Sequence, residues 1–252
     1  MEETSPAMAL RRKATFYLLF VTIIWGGTFV WMKQLLGAAE ENADVWDARL
    51  AVSLFVGLRF FIALILLAII MPSSYKFGDR RKEVWNGGLI LGLLMFAGFA
   101  LQMTALAEIT PAVSAFLTSL YVVFTALIGR SLGQQKLTKG LLLGVFLATL
   151  GAALLGLEEG DKITDLALTE FGVPEWMTVL GAVMFSLHIL ATDAVTKRDD
   201  PVKLSFTSFA AVSFFSFILL LILLPFSDMS LSDLLELLTL LDVWIPLLLL
   251  GG

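Results

Sequence analysis

The chain has 252 residues, of which 58% are hydrophobic and 15% are charged. Soluble domains carry about 25% charged residues, so this composition is that of a membrane protein. The mean hydropathy of +0.90 also indicates a membrane protein. A net charge of −5 excludes a basic nucleic-acid surface, and the lack of cysteine excludes disulfides, thiol catalysis and cysteine metal sites. No cofactor and no metal are predicted.

Long apolar segments predict an all-α, polytopic membrane fold. A helix needs about 20 mostly apolar residues to cross the hydrocarbon core of a bilayer. The segments that meet or begin to meet this requirement are 14–35, 50–71, 86–107, 111–130, 137–157, 176–196, 204–226 and 242 onward. The first is predicted to be a retained helix, because its apolar run is too long for a signal peptide and no small-residue cleavage site follows it.

Charged residues between these segments alternate in sign along the chain. Basic clusters lie at 11–13, 76–82, 130–139 and 197–203, and acidic clusters lie at 40–47, 158–175 and 228–236. Lysine and arginine are retained on the cytoplasmic side of membranes. The pattern therefore predicts a multi-pass protein of the cell (inner) membrane with a cytoplasmic N-terminal tail at 1–13 and acidic loops outside.

The two halves of the chain are weakly similar at an offset of roughly 160 residues. Trp85 opens the third segment and Trp244 opens the eighth, and Trp25 to Lys33 aligns with Phe185 to Asp193. Each repeat would hold five membrane-spanning helices. Because five is odd, the second repeat would cross the membrane in the inverted orientation. Inverted repeats are typical of secondary transporters with a midplane binding site. The predicted domains are a first repeat at 14–157, an extracytoplasmic linker at 158–175 and a second repeat at 176–252, which stops early in its third helix.

Three stretches resemble motifs of one transporter family. WGGTFVWMK (25–33) is similar to the opening of that family's first helix, GLRFFIAL (57–64) to its second-helix arginine–phenylalanine motif, and 105–138 to its third-to-fifth-helix region. From about 14 to 252 the sequence thus resembles the EamA family of the drug/metabolite transporter superfamily. Val122 stands where that family commonly has proline, and Gln134 or Gln135 where it has glutamate. The resemblance implies export of small metabolites such as amino acids or their analogues.

Helical spacing gathers polar and aromatic residues on single faces of the first, third and fourth helices. Apolar walls with a few donors and acceptors suit an amphipathic solute. The residues predicted to bind a small-molecule substrate are Thr22, Trp25, Gly26, Phe29, Met95, Phe99, Gln102, Ser114, Thr118, Tyr121 and His188. Gly88 and Gly92 share the face of the third helix. Packing is nevertheless the favoured interpretation of Gly26, because small residues let membrane helices approach closely. For Trp25 a cavity wall and core filling are equally open.

Other residues are predicted to have structural or gating roles. Ionisable side chains in a membrane are costly unless paired or hydrated. Lys33 is expected to snorkel or to gate, and Arg59 to contact backbone carbonyls or Glu108, or to act functionally. His188 is the chain's one histidine, and a hydrogen-bonded packing role is favoured for it over a functional one. Small residues at fourfold spacing on the fifth helix are assigned to packing: Gly140, Gly144, Ala148, Ala152 and Gly156.

The predicted function is a secondary transporter, not an enzyme, that works by alternating access in the lipid bilayer. No carboxylate lies centrally in a predicted span and no P-loop is present, so coupled and uncoupled movement stay open and ATP-driven pumping is not expected. A nucleotide-sugar carrier is weaker, because a diphosphate requires several cations. Two alternatives are not transporters. An intramembrane hydrolase using His188 is weakened because the G-x-S-x-G motif is absent. A non-transporting scaffold would require that all the polar helix faces serve helix packing. A homodimer is left open.

Overall fold

A computed structural model of the chain describes residues 6–133 and 172–251, together with positions 139, 140, 142–144, 146, 147 and 150. The regular structure of these residues is helical. The longer helices are α1 (Pro6–Asn42), α2 (Ala48–Ile70), α3 (Arg81–Glu108), α4 (Pro111–Ser119), α5 (Tyr121–Ser131), α6 (Val173–Thr196), α7 (Pro201–Leu223), α8 (Leu231–Leu237) and α9 (Leu241–Gly251). Short 3₁₀ turns at Gly78–Arg80 and Leu224–Phe226 precede α3 and follow α7.

Six spans among the described residues are long and apolar enough to cross a membrane. They are Thr15–Asn42, Ala48–Ile70, Gly78–Glu108, Pro111–Ser131, Val173–Thr196 and Pro201–Phe226. The helices α8 and α9 meet at 79° and would form a further, bent span. These elements confirm the predicted all-α, polytopic fold, while the segment predicted at 137–157 falls largely outside the described residues. Large apolar side chains such as Ile23 (76% exposed) and Ile70 (74%) cover the outer surface, as a lipid environment allows.

Polar side chains cap the helices where the chain enters them. The Asp47 carboxylate accepts a hydrogen bond from the backbone N–H of Arg49 at 3.0 Å and so caps α2. The Arg49 guanidinium, 2.9 Å from the same carboxylate, holds the pKa of Asp47 below its ordinary value. Asp200 caps α7 in the same way, and Thr110 caps α4.

The helix predicted over 111–130 is interrupted at Leu120. The backbone N–H of Leu120 donates to the carbonyl of Leu117, three residues earlier in the chain, at 3.3 Å. Regular helix resumes at Tyr121. Such a bond belongs to a tighter turn than the α-helix. The fourth span is therefore two successive helices, α4 and α5.

Close approach of α3 to α7 organises the bundle. Helix α3 packs against α2, α6 and α7. A methyl group added at Gly88 would overlap the Thr207 hydroxyl, and one added at Gly92 would lie 2.5 Å from Cβ of Ala211. Glycine at both positions lets the two helices approach backbone to backbone. Both glycines, predicted on a solute-facing stripe, therefore serve helix packing.

The C-terminal half of α3 approaches α6 in a similar way. Gly98 lies against the ring of Phe185, and Gly181 of α6 lies against the Gly98 carbonyl. At the start of α3, Arg80 forms a 2.8 Å ion pair with Asp199 in the turn between α6 and α7. The basic loops at 76–82 and 197–203 consequently lie at the same end of the bundle, as their shared sign predicts.

Replacing Gly88 with alanine should lower the thermal unfolding midpoint of the purified protein, because the added methyl group forces α3 and α7 apart. Overpacking of this kind costs about 1–3 kcal/mol. Gly37→Ala is the matched control, since a methyl group at position 37 of α1 meets no described atom within 4 Å. Circular dichroism in detergent measures both. Equal midpoints for Gly88→Ala, Gly37→Ala and the parent protein would contradict the close contact.

Candidate functional site

A cavity of about 520 Å³ lies between α1, α3, α4, α5 and α6. This volume falls within the roughly 300–1,000 Å³ of small-molecule sites. Its lining is Thr22, Trp25, Gly26, Thr28, Phe29, Met95, Phe99, Gln102, Ala115, Thr118, Ser119, Tyr121, Phe185, His188 and Ile189. We call it the central cavity.

Helix α1 contributes one face to the central cavity. Thr22, Trp25, Gly26 and Phe29 follow the i, i+3, i+4, i+7 spacing that aligns side chains along a helix. A methyl group at Gly26 would meet no described atom within 4 Å, so among the described residues no neighbouring helix packs closely against Gly26. The indole of Trp25 is 50% exposed and its ring centre lies 6.5 Å from that of Tyr121, so Trp25 forms a wall of the cavity.

Side-chain contacts between helices hold the opposite wall. The ring of Phe99 on α3 meets that of Phe185 on α6 edge to face, with centres 5.2 Å apart. The Gln102 amide on α3 donates to the Thr118 hydroxyl on α4 at 2.7 Å, and Gln102 is 2% exposed. A buried amide requires such a partner. These contacts fix the distances of α4 and α6 from α3.

Three polar side chains on the cavity wall have hydrogen-bonding groups without a partner among the described residues. Within the described part of the chain, Trp25, Tyr121 and His188 make no side-chain hydrogen bond. By contrast, the hydroxyls of Thr22 and Thr28 donate to carbonyls of their own helix at 2.7 and 2.6 Å. The indole donates only, whereas the phenol and a neutral imidazole each donate and accept. Together they can orient a ligand with both kinds of group.

The described lining carries no formally charged lysine, arginine, aspartate or glutamate side chain. Nor do the described residues bring together three histidine, aspartate or glutamate side chains that could hold a metal ion. Polarity in the central cavity therefore comes from hydroxyl, amide, indole and imidazole groups. Such a site suits a solute that is largely apolar with a few hydrogen-bonding atoms.

The central cavity brings together the predicted substrate-binding residues except Ser114. That residue is fully buried, and its hydroxyl has no partner among the described residues. The face of α4 that reaches the cavity carries the predicted Thr118 together with Ala115 and Ser119. Whether the residues bind substrate stays a prediction.

The sequence analysis missed some of the lining: Thr28, Ala115, Ser119, Phe185 and Ile189. Phe185 lies three residues before His188, so helical spacing from His188 was a signal for it. Ile189 directly follows His188, and Thr28 directly precedes Phe29, so both are next to predicted site residues. A stripe wider than the one assumed would have included them.

Lys33 is a structural residue. Its ammonium group donates to the carbonyls of Leu106 and Ala107, both at 2.8 Å, in the last turn of α3. A cation at this position satisfies carbonyls that a helix end leaves unpaired. Lys33 therefore links α1 to α3, and a gating or snorkelling role for it stays a prediction.

Arg59 lies behind the cavity wall. Its Nε donates to the Leu250 carbonyl of α9 at 2.8 Å, and its guanidinium lies 4.6 Å from the ring centre of Phe99 and 5.4 Å from that of Phe60. An arginine over an aromatic face is stabilised electrostatically. The contact to a backbone carbonyl agrees with prediction, whereas Glu108 is not its partner.

Packing by the small residues of the fifth predicted helix stays a prediction. Methyl groups added at Gly140 and Gly144 meet no described atom within 4 Å. Ala148, Ala152 and Gly156 lie outside the described residues.

Comparison with known proteins adds an independent finding. Residues 12–157 match the EamA-like transporter family. The chain is also 26% identical over 201 residues to an uncharacterized transporter of Archaeoglobus fulgidus. That alignment covers 79% of the chain and 56% of the relative, so the chain spans little more than half of the relative's length. Because the family match extends over more than half of the chain and includes α1 to α5, the chain belongs to the EamA-like transporter family.

Proposed function

We propose that this membrane transporter is a secondary exporter of small amphipathic metabolites, such as amino acids or their analogues. The observation that carries the proposal is the central cavity, which joins apolar walls to three free polar groups on Trp25, Tyr121 and His188. A volume of about 520 Å³ accommodates a solute of that size. The uncharged lining favours a solute with no net charge, such as a zwitterionic amino acid, over an ion with a net charge, because an unpaired charge is costly to bury.

Helices from both predicted repeats surround the central cavity. α1, α3, α4 and α5 belong to the predicted first repeat at 14–157, and α6 belongs to the predicted second repeat at 176–252. A site between repeats supports alternating access by two inverted halves that rock about it. Basic loops gathered at one end of the bundle favour a cytoplasmic N-terminus in the cell (inner) membrane.

The alternatives receive less support from the site. A nucleotide-sugar carrier would need several cations in the cavity, and the described lining offers none. A serine hydrolase would need a serine hydroxyl bonded to His188. None of the described serines that line a cavity with His188 is bonded to it: Ser119 and Ser205 donate to carbonyls of their own helices at 2.7 and 2.9 Å, and Ser208 has no partner among the described residues. A homodimer stays a prediction.

Metabolite profiling of cells with and without the whole protein tests the function. We expect the concentrations of a few small amphipathic solutes to rise in the medium of expressing cells and to fall in their cytosol, because export moves solutes from the cytosol to the medium. Membrane insertion is checked in the same cells by fractionation. An unchanged distribution of solutes with correct insertion would contradict export, and enrichment in the cytosol would indicate uptake.

Substitutions in the central cavity should impair transport of those solutes. Trp25→Ala removes a wall and a donor, and Gly26→Leu fills part of the space. We expect each to reduce the initial rate of efflux about tenfold or more, the equivalent of one lost hydrogen bond of about 1.4 kcal/mol.

Gly37→Leu is the control for Gly26→Leu, since both glycines lie on α1 and face open space but only Gly26 lines the cavity. Ile23→Ala, two residues from Trp25 and 76% exposed, serves the same purpose for Trp25→Ala. Efflux is followed from preloaded vesicles at equal protein content. Wild-type rates for both cavity variants would show that the solute passes elsewhere.

A further inference from the structure

The hydroxyl of Thr118 is used differently from the other hydroxyls of the threonines and serines that line the central cavity. Those of Thr22, Thr28 and Ser119 donate to carbonyls of their own helices at 2.7, 2.6 and 2.7 Å. Thr118 instead accepts a 2.7 Å hydrogen bond from the Gln102 amide of α3, and no described residue accepts the proton of its hydroxyl. Within the described residues, Thr118 therefore keeps a donor that its own helix does not use.

The Gln102 amide also keeps a hydrogen-bonding group without a described partner. Its nitrogen donates to Thr118, whereas its carbonyl oxygen accepts no hydrogen bond from the described residues. The described side-chain atoms that are both sealed from solvent and without a partner are the hydroxyls of Ser74, Ser114, Ser208, Ser213 and Ser216. The Gln102 oxygen is not among them, and Gln102 lines the central cavity, so this oxygen is accessible from that cavity.

Gln102 and Thr118 together form what we call the polar pair. The pair offers one donor, the Thr118 hydroxyl, beside one acceptor, the Gln102 carbonyl. Turning the amide over would make the Thr118 hydroxyl donate to Gln102, and would leave an amide N–H and the threonine oxygen available instead. The pair thus presents a donor beside an acceptor in both orientations of the amide.

The polar pair lies at one end of an apolar face. The residues of α3 that line the cavity are Met95, Phe99 and Gln102, so the amide is the member nearest to the C-terminal end of the helix. Gln102 is 2% exposed and Thr118 is 8% exposed, and hydrogen bonds in so buried a position are stronger than in water. A solute whose polar group meets the pair would place its apolar part against Phe99 and Met95.

Complementarity to a donor beside an acceptor restricts the polar group of the solute. A carboxylate alone only accepts hydrogen bonds and an ammonium alone only donates them, so each can use one half of the pair. The head group of a zwitterionic amino acid carries both and can use the whole pair. The described lining has no lysine, arginine, aspartate or glutamate to pair with either charge, so the head group has to be held by neutral groups through charge-assisted hydrogen bonds.

We propose that the polar pair selects the head group of a zwitterionic amino acid, with the Thr118 hydroxyl donating to the carboxylate and the Gln102 carbonyl accepting from the ammonium. This inference rests on the proposed transport of small amphipathic metabolites and adds the atoms that recognise them. Because Gln102 belongs to α3 and Thr118 to α4, the bound head group also bridges these two helices.

Three probes with one carbon skeleton test the proposal on the whole purified protein. They are L-leucine, 4-methylpentanoate, which lacks the ammonium, and 3-methylbutylamine, which lacks the carboxylate. Isothermal titration calorimetry in detergent measures the dissociation constant of each. We expect L-leucine to bind about tenfold or more tightly than either analogue, since each analogue loses one charge-assisted hydrogen bond. Equal affinities for the three probes, or no binding of L-leucine, would overturn the proposal.

Two substitutions of similar volume separate the halves of the pair. Thr118→Val removes the donor and should abolish the preference for L-leucine over 3-methylbutylamine, while the preference over 4-methylpentanoate remains. Gln102→Met removes the acceptor and should have the opposite effect on the two preferences. Each preference is a ratio of affinities within one variant, so it does not depend on how much of that variant is folded. Wild-type preferences in both variants would show that the pair does not read the head group.

Two further variants are the controls. Thr118→Ser keeps the hydroxyl and should keep both preferences. Thr178→Val removes a hydroxyl that is equally buried, on α6, but donates to the Pro174 carbonyl at 3.0 Å and does not line the cavity. It should leave both preferences unchanged, and a loss as large as that in Thr118→Val would contradict a specific role of the pair.

Binding is measured without transport, so this inference and the proposed function fail separately. Efflux of solutes by a protein that binds L-leucine no better than its two analogues would overturn the role of the polar pair and leave export standing. Discrimination among the probes by a protein that changes no solute distribution in cells would support the polar pair and contradict export.

Discussion

The close contact of α3 with α7 and α6 is the constraint on which the other features depend. Helices in lipid gain little from burying apolar surface against each other, so van der Waals contact between backbones has to hold them. Gly88 and Gly92 provide that contact with α7 on one stretch of α3, and on the next stretch Gly181 of α6 provides it against the Gly98 carbonyl. With these positions committed to packing, Met95, Phe99 and Gln102 are left to face the space between α3, α1 and α4.

Two cations reinforce this frame from outside the cavity. Lys33 binds the last carbonyls of α3, and Arg59 binds a carbonyl of α9 while stacking against Phe99. Both charges are therefore used in structural contacts of the backbone and an aromatic ring. Among the described residues, the lining of the cavity beside them carries neutral polar groups and no lysine, arginine or carboxylate, which favours a solute held by a few hydrogen bonds and much apolar contact.

Much of the fold follows from local sequence, whereas the contacts that each helix makes with its neighbours do not. The span predicted at 50–71 is α2, at Ala48–Ile70, because length and hydropathy are properties of the segment itself. The α1 stripe from Thr22 to Phe29 was likewise readable from helical spacing. Gly26 and Gly88 look alike in sequence, yet Gly26 faces a cavity and Gly88 faces Thr207. The surroundings of a glycine depend on the neighbouring helix, which the local sequence does not reveal. Ser114 was misplaced because the packing of α4 against α6, which no local pattern reveals, decides which of its residues reach the cavity.

The most direct test of the central claim is a cryo-electron microscopy structure of the whole protein with its transported solute, as picked out by metabolite profiling. We expect density for the solute in the central cavity, within hydrogen-bonding distance of Trp25, Tyr121 or His188 and in contact with Phe99. Ordered solute bound elsewhere, with the central cavity still empty, would contradict the assignment of the site.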